Sequence, residues 1–329
     1  MSYRPRRRRR QALEFNTVAG VRILAIDGGG IRGLIPALVL AEIERRTQRR
    51  AADLFDLIAG TSTGGILAAA LTIPGPDGSP RYTADQLTRL YETEGPRIFS
   101  RSLVRVVLSA GGVLDEKYDS KGLEVALTEY LGDARLKDAL TPILLTAYET
   151  ERRCAFFFRS SRAAKDPAYD FALTDAAHAT SAAPTYFEPV RVGDFTLVDG
   201  GLFASNPALC AYVDVVAAGR KEDVTVVASL GTGAAKRPIP YEVAKDWGQL
   251  GWARSVIDVL LSAQAETVDY QLSKLLEDRY VRLQVELELA NDDLDDASPE
   301  NLRDLRAEAD RLVRKQDRAI DDLCARLTA

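Results

Sequence analysis

The chain has 329 residues, of which 46% are hydrophobic, and its formal net charge is −5 at pH 7. This length and apolar content allow a substantial core, in one large α/β domain or two smaller ones. No apolar run approaches the roughly eighteen residues that cross a bilayer, and no apolar segment of a secretory signal follows the basic start. The composition therefore predicts a globular protein that does not span a membrane.

The chain begins with a strongly basic segment. Arg4 and Arg6 to Arg10 place six positive charges in the first ten residues, whereas the rest of the chain is acidic. One interpretation is a disordered tail over 1–16, which is common for such runs. The other is attraction to anionic lipid headgroups. The acidic body argues against a nucleic-acid-binding protein.

The first predicted strand, over 21–27, leads into the glycine loop Asp27-Gly28-Gly29-Gly30-Ile31-Arg32-Gly33 and then a helix over 34–47. Three consecutive glycines leave backbone N–H groups bare, and such groups can converge on one oxygen as an oxyanion hole requires. Arg32 adds a positive charge beside them. This loop is the first candidate functional segment.

The same loop also matches the dinucleotide-binding fingerprint, because Gly28, Gly30 and Gly33 have G-x-G-x-x-G spacing between a strand and a helix. Asp53 or Asp56 would then bind the ribose. That acid should end the second strand, whereas both lie at or inside the strand that leads to the next motif. A nucleotide-binding protein is the less favoured alternative.

The second motif is Gly60-Thr61-Ser62-Thr63-Gly64, between a predicted strand over 54–59 and a predicted helix over 63–72. A G-x-S-x-G turn in this context is a nucleophile elbow, which places the serine hydroxyl at a helix N-terminus with its free N–H groups. The alternative is a corner of small residues with a solvated serine. Ser62 is the candidate nucleophile.

Residues 102–114 form the next apolar segment, interrupted only by Arg105 among its large side chains. The simpler interpretation is a buried helix. The alternative is a mobile flap over an acyl pocket.

The third motif is Asp199-Gly200-Gly201, after a predicted strand over 195–198. A serine hydrolase normally uses a histidine base, which follows the acid in the α/β-hydrolase order. His178, the chain's one histidine, precedes Asp199 in an Ala-rich helical run, so a packing or surface role is expected for it. Either the elbow has no catalytic role, or a carboxylate activates Ser62 directly.

The remaining strands and helices alternate along the chain. Further strands are predicted over 142–148, 155–159 and 224–230, and further helices over 84–94, 120–131, 171–181 and 207–218. The pattern favours a sheet covered by helices on both faces. Beyond it, helical spacing over 252–276 is followed by a short strand over 280–285 and a last helix that opens at Ser298-Pro299.

Neither the cysteines nor the acidic segment near the C-terminus has the spacing of a metal or cofactor site. Cys154, Cys210 and Cys324 are isolated in sequence, which indicates free thiols in a reducing, cytoplasmic compartment. The acid run 292–296 lacks the glycine and the terminal glutamate of an EF-hand, so we interpret it as a solvated acidic linker. No metal or other cofactor is expected.

The three motifs together resemble the patatin-like phospholipase family. Ala179-Thr-Ser-Ala-Ala-Pro-Thr-Tyr-Phe-Glu-Pro189, Asn206-Pro207 and Ser229-Leu-Gly-Thr-Gly233 add to the resemblance, which runs from about Val21 to Gly233. It implies a Ser–Asp dyad lipid acyl hydrolase that needs neither histidine nor catalytic calcium. Carried over, Ser62 is the nucleophile, Asp199 is the base, and Gly28, Gly29 and Gly30 form the oxyanion loop, with Arg32 as an auxiliary charge.

The expected fold is a three-layer α/β domain with a central, mostly parallel sheet over 17–240, and a mainly helical extension over 241–329 that packs on it. The expected substrate is a membrane phospholipid or glycolipid, with peripheral membrane contact through the arginine tail. Two alternatives stay open. One is a latent effector switched on by a signalling nucleotide or partner, and the other is a storage or binding protein without esterase activity.

Overall fold

The computed structural model describes residues 20–99, 118–234 and 238–329. The arginine tail and the apolar segment 102–114 lie outside these residues. Among the described residues, no helix has the length and apolar content that crossing a membrane requires.

A single sheet of eight strands organises the molecule. The spatial order is β5-β6-β3-β2-β1-β7-β8, and β4 pairs with β3 beside this path. The pairs of β1 with β2 and β7, of β2 with β3, and of β7 with β8 are parallel, while β4, β5 and β6 pair antiparallel. The predicted mostly parallel sheet is therefore confirmed. The strands are β1 Val21–Ile26, β2 Leu57–Gly60, β3 Ile143–Glu149, β4 Cys154–Arg159, β5 Val190–Val192, β6 Phe195–Asp199, β7 Val224–Leu230 and β8 Tyr280–Leu283.

Helices cover both faces of this sheet. Those that the structure describes are α1 Leu34–Thr47, α2 Ala51–Leu54, α3 Thr63–Thr72, α4 Ala84–Arg89, α5 Gly95–Ile98, α6 Lys121–Leu131, α7 Ser160–Ala163, α8 Leu173–Ser181, α9 Gly201–Ala204, α10 Ala208–Ala217, α11 Tyr241–Ala244, α12 Gln249–Leu276, α13 Pro299–Lys315 and α14 Asp317–Thr328. One buried cluster joins a face of the sheet to α1, α3, α6 and α8, and a second joins the opposite face to α10 and the end of α12. The three-layer prediction is confirmed.

The predicted helix over 84–94 changes form halfway. After α4, residues Leu90–Glu94 form a π-helical turn that leads into α5. A π turn widens a helix locally and is often found at functional sites. Leu90 and Tyr91 of this turn line the pocket described below.

Strand β3 brings two distant segments to the same edge. β4 pairs with β3 along its length, from Leu144 to Glu149. The opposite edge is shared, because β2 pairs at its first half and β6 at its second half. Gly60 at the end of β2 is the partner of Leu145, and Asp199 at the end of β6 is the partner of Ala147. The ends of β2 and β6 therefore lie about 7 Å apart along β3.

The C-terminal residues join the same fold. β8 extends the sheet beside β7, and apolar side chains of α13 and α14 belong to the core cluster of α1. The predicted start of α13 is confirmed, because the Ser298 hydroxyl accepts the Asn301 amide at 3.2 Å. The prediction of a single last helix was wrong. The helix is interrupted at Gln316, whose side chain donates to the Gln284 carbonyl at 2.9 Å.

Candidate active site

Ser62 lies at the sharp turn between β2 and α3. Its backbone has φ 56° and ψ −126°, which a non-glycine residue adopts only under strain. Two glycines permit this turn, because a Cβ on Gly60 would approach the Gly64 carbonyl oxygen to 2.2 Å and one on Gly64 would approach the Ile26 carbonyl oxygen to 2.2 Å. The local backbone is that of the predicted nucleophile elbow.

Neighbouring threonines fix the elbow. The Ser62 amide donates to the Thr180 hydroxyl at 3.0 Å. The Thr61 hydroxyl lies 2.7 Å from that of Thr146 on β3 and donates to the Ala204 carbonyl at 2.6 Å. The elbow is thereby bonded to β3, α8 and α9. Thr180 belongs to the segment that carries the family resemblance, but its role as an anchor was not predicted.

Asp199 lies beside Ser62, at the end of β6. The Ser62 side chain is close enough to its carboxylate to favour the charged form, and the Gly201 amide donates to the carboxylate Oδ1 at 2.6 Å. The side chain is 5% exposed. Burial raises its pKa to about 6, although the Ser62 side chain and the Gly201 amide both act to lower it. A carboxylate with this pKa is a better proton acceptor than an exposed aspartate.

The glycine loop runs along Ser62. A Cβ on Gly28 would lie 3.3 Å from the Ser62 Cβ. The Gly28 amide is already bonded, because it donates to the Ser205 carbonyl at 2.9 Å, while the Gly28 carbonyl accepts the Thr232 hydroxyl at 2.8 Å. Gly28 therefore shapes the loop, and its amide, which we predicted as an oxyanion donor, is already bonded in this structure.

Three other amides remain for an oxyanion. In the part of the chain that the structure describes, those of Gly29, Gly30 and Thr63 have no hydrogen-bond acceptor. The Thr63 amide was not predicted as a candidate donor, although the residue after an elbow nucleophile commonly supplies one oxyanion donor.

A buried ion pair holds the start of the glycine loop. Asp27 is 2% exposed, and its Oδ2 accepts Nη2 of Arg282 on β8 at 2.6 Å. Nη1 of the same guanidinium donates to the Ser229 hydroxyl at 2.8 Å. Burial raises the Asp27 pKa, and the arginine counteracts this only in part. Arg282 comes from the C-terminal region, where no motif pointed to it.

The serine and the aspartate both line a single pocket. Its walls are mainly apolar, and they come from α3, the π turn, α5, α6, α9 and α12 and from the segment after α8. The deeper side chains include Ile98, Leu123 and Leu127, which are buried. A pocket with walls of this polarity fits an acyl chain better than a polar group.

Two predicted residues lie away from the dyad. His178 is not among the lining residues, and its Nδ1 is 3.8 Å from the Glu124 carboxylate Oε1. Burial lowers its pKa. Arg32 does not line this pocket either, and its charge acts on Asp27. Neither contributes a group to the wall of the pocket.

The dinucleotide alternative does not fit the structure. Asp56 precedes β2 and forms an ion pair with Arg22 at 3.0 Å, while Asp53 is exposed on α2. Both acids lie at the end of β2 opposite to the glycine loop. Neither can bind a ribose whose phosphates rest on that loop.

The acid run 292–296 is not the solvated linker that we expected. Its Leu294 is buried, lines the pocket and accepts the Ile31 amide through its carbonyl at 2.9 Å. The Asp295 carboxylate accepts the Tyr118 hydroxyl at 2.5 Å. The charged neighbours concealed a segment that packs against the glycine loop.

Comparison with known proteins shows which family the chain resembles. The family model described as patatin-like phospholipase matches residues 24–212. Patatin-like protein 2 of Oryza sativa subsp. indica is 34% identical over 92% of this chain and 85% of its own length. Patatin-like protein 4 of Arabidopsis thaliana is 32% identical over 89% and 83%, and Patatin-07 of Solanum tuberosum is 33% identical over 90% and 84%. Among solved structures, VipD from Legionella pneumophila aligns with a TM-score of 0.42 at 12% identity, covering 90% of this chain and 67% of that one.

These matches define a hydrolase of the esterase or lipase class. The chain belongs to the patatin-like phospholipase family. The alignments with plant relatives extend well beyond residue 233, so the similarity includes the C-terminal region that the motifs left uncovered.

Proposed function

We propose that this protein hydrolyses a carboxylic ester of a phospholipid or related glycerolipid through a Ser62–Asp199 dyad and an acyl-enzyme. The observation that carries the proposal is the position of Ser62 beside a buried Asp199 carboxylate, on the wall of an apolar pocket that both residues line. Family membership supports the lipid substrate.

The first step is acylation of Ser62. Asp199 accepts the hydroxyl proton as Oγ attacks the ester carbonyl. The negative charge that develops on the carbonyl oxygen is held by the amides of Gly29, Gly30 and Thr63, which lie at the glycine loop and at the α3 N-terminus. Collapse of the tetrahedral intermediate expels the lysolipid alkoxide, which takes the proton from Asp199.

The second step releases the fatty acid. Asp199 removes a proton from water, and the resulting hydroxide attacks the acyl carbonyl. Ser62 then leaves with the proton that Asp199 holds, so the dyad returns to its starting state. His178 has no part in either step, since it does not reach the pocket wall.

The decisive experiment compares wild type with Ser62→Ala and Asp199→Asn. Fatty-acid release from phosphatidylcholine vesicles is measured by mass spectrometry, and turnover of a soluble p-nitrophenyl ester by absorbance. Each variant should lower kcat/KM by about 10⁴-fold or more. A fluorophosphonate probe should label wild type at Ser62. Near-normal turnover by folded Asp199→Asn would exclude the dyad.

The pH dependence tests the base separately. The pKa of Asp199 is raised to about 6, and only its deprotonated form can accept the serine proton. We therefore expect kcat/KM for the soluble ester to rise with pH and to level off above about 6. A profile that is flat across about pH 5 to 8 would contradict this assignment.

A further inference from the structure

Helix α12 presents apolar side chains to both of its sides. On the inner side, Leu261 lines the pocket and would lie 2.8 Å from a Cβ on Gly201. The Gln264 side chain donates to the Leu202 carbonyl at 2.7 Å. These contacts attach the helix to α9, immediately after Asp199.

The outer side of the same helix is exposed. Trp252, Val256, Val259 and Leu260 recur at intervals of four, three and one residues, so they share one side of the helix. Their exposed fractions are 43%, 40%, 37% and 42%. We call these four residues the outer stripe. A helix with apolar side chains on its solvent-facing side usually binds another molecule through that side.

Aromatic residues extend the outer stripe. Trp247, just before α12, packs edge-to-face on Trp252, with 5.2 Å between ring centroids. Tryptophan and tyrosine prefer the boundary between lipid headgroups and acyl chains. The stripe itself carries no charge, which fits a lipid surface whatever its headgroup.

The outer stripe also lies close to the pocket. Leu202 and Leu261 at the pocket wall are half-buried, whereas Leu123 and Leu127 are fully buried, so the α9–α12 side belongs to the rim. A helix with its side chains is about 10 Å across. The stripe is therefore within about one helix diameter of the place where an acyl chain would enter.

We propose that the outer stripe docks the protein on a phospholipid bilayer, with the pocket rim at the membrane surface. The proposal rests on the proposed function, since it assumes that the acyl chain passes from the bilayer into the pocket beside Ser62. It differs from attraction by the arginine tail, because it needs no anionic lipid.

The test uses the chain's own fluorophores, since its two tryptophans, Trp247 and Trp252, both lie at this surface. The Ser62→Ala protein is titrated with phosphatidylcholine vesicles at high salt, which screens the tail. Tryptophan emission should shift to shorter wavelength, and lipids brominated on their acyl chains should quench it. Unchanged emission would overturn the proposal.

A triple variant, Val256→Ser/Val259→Ser/Leu260→Ser, keeps both tryptophans. We expect it to bind the vesicles about tenfold more weakly. When the triple variant retains Ser62, it should hydrolyse the soluble ester at the wild-type rate and the vesicle lipid more slowly. The matched control is Leu140→Ser, which is 44% exposed before β3, at the opposite end of the sheet, and should leave both rates unchanged.

The outcomes separate the possible occupants. Equal vesicle binding by the triple variant and Leu140→Ser would overturn the proposal. Sedimentation could instead show that the wild type is a dimer and the triple variant a monomer, with vesicle binding intact. That result would also overturn the proposal, because a second copy of the chain would then cover the stripe. If wild type binds vesicles through the stripe but hydrolyses neither ester, the proposed function fails and the docking surface stands.

Discussion

The glycine loop is where two regions of the molecule meet. Residues 21–233 contain the motifs and the groups proposed to react. Residues 280–329 contain no motif, but two of them bond to the glycine loop. Arg282 neutralises Asp27 at the start of the loop, and the Leu294 carbonyl accepts the Ile31 amide after it. The difference teaches that motifs mark the reacting groups and not the residues that position them.

The same comparison applies to conformational freedom. The elbow is held by short-range geometry, since glycines flank Ser62 and permit its strained backbone. The glycine loop depends on the C-terminal region, because a Cβ on Gly30 would lie 2.0 Å from the Leu294 carbonyl oxygen. Changes in the C-terminal region should therefore affect the loop more than the elbow.

The largest expected effect on stability comes from Arg282→Met. It leaves the buried Asp27 without the guanidinium, so Asp27 must remain as an unpaired charge or take up a proton. We expect the free energy of unfolding to fall by about 3–5 kcal/mol, measured by urea denaturation. The ester kcat should fall while KM changes little, since the loop acts on the transition state.

Two variants sharpen this test. Asp27→Asn combined with Arg282→Met removes both charges and should recover most of the lost stability. Arg306→Met breaks an exposed pair with Glu92 and should cost no more than about 1 kcal/mol. If Arg282→Met were as mild as Arg306→Met, the C-terminal region would not support the loop.

The next effect in size is that of Gly29→Val. A Cβ at this position would lie 2.3 Å from the Thr232 hydroxyl oxygen, so the loop must shift and its free amides move with it. We expect kcat for the soluble ester to fall by about 10²–10³-fold with little change in KM. Gly248→Ala, where a Cβ meets nothing within 4 Å, is the control. A raised KM with normal kcat would instead indicate a substrate-binding loop.

Much of the fold could be predicted because its signals are local. The apolar periodicity placed α1 and α3 with the bounds that the structure has. The elbow context followed from two glycines and a strand–helix pair. Ser62 and Asp199 lie together as the family resemblance implied, since β3 aligns the ends of β2 and β6.

The rest depends on contacts between distant residues. Asp27 and Arg282 are 255 positions apart, and one arginine among many carries no local sign of burial. Leu294 was overlooked because aspartates surround it. The bonded Gly28 amide could not be predicted either, since its acceptor is the carbonyl of Ser205, after the Asp199 turn.

A smaller effect is expected on stability from Asp199→Asn. Burial raises the Asp199 pKa from 3.8 to about 6, so at neutral pH the folded protein carries a charge that the unfolded chain solvates better. The neutral asparagine can still accept the Gly201 amide. It should therefore stabilise the fold by up to about 3 kcal/mol above pH 6, while lowering activity.

The pH dependence of the stability gained by Asp199→Asn is the control for this prediction. Below about pH 4 wild type is protonated in both states, so the two melting temperatures should coincide. The difference should grow between about pH 4 and 6, as the unfolded and then the folded aspartate ionises, and then stay constant. A gain of equal size at every pH would mean that burial of the charge is not its cause.

The smallest effect is expected from His178→Ala. The imidazole lies on α8, outside the pocket wall, and its Nδ1 is 3.8 Å from Glu124. Removing it should lower kcat/KM for the soluble ester several-fold at most, through packing, whereas removal of a true histidine base costs about 10⁶-fold. Circular dichroism must first show that the variant is folded. Activity as low as that of Ser62→Ala would then require a Ser–His–Asp mechanism, and the carboxylate could no longer be the direct base.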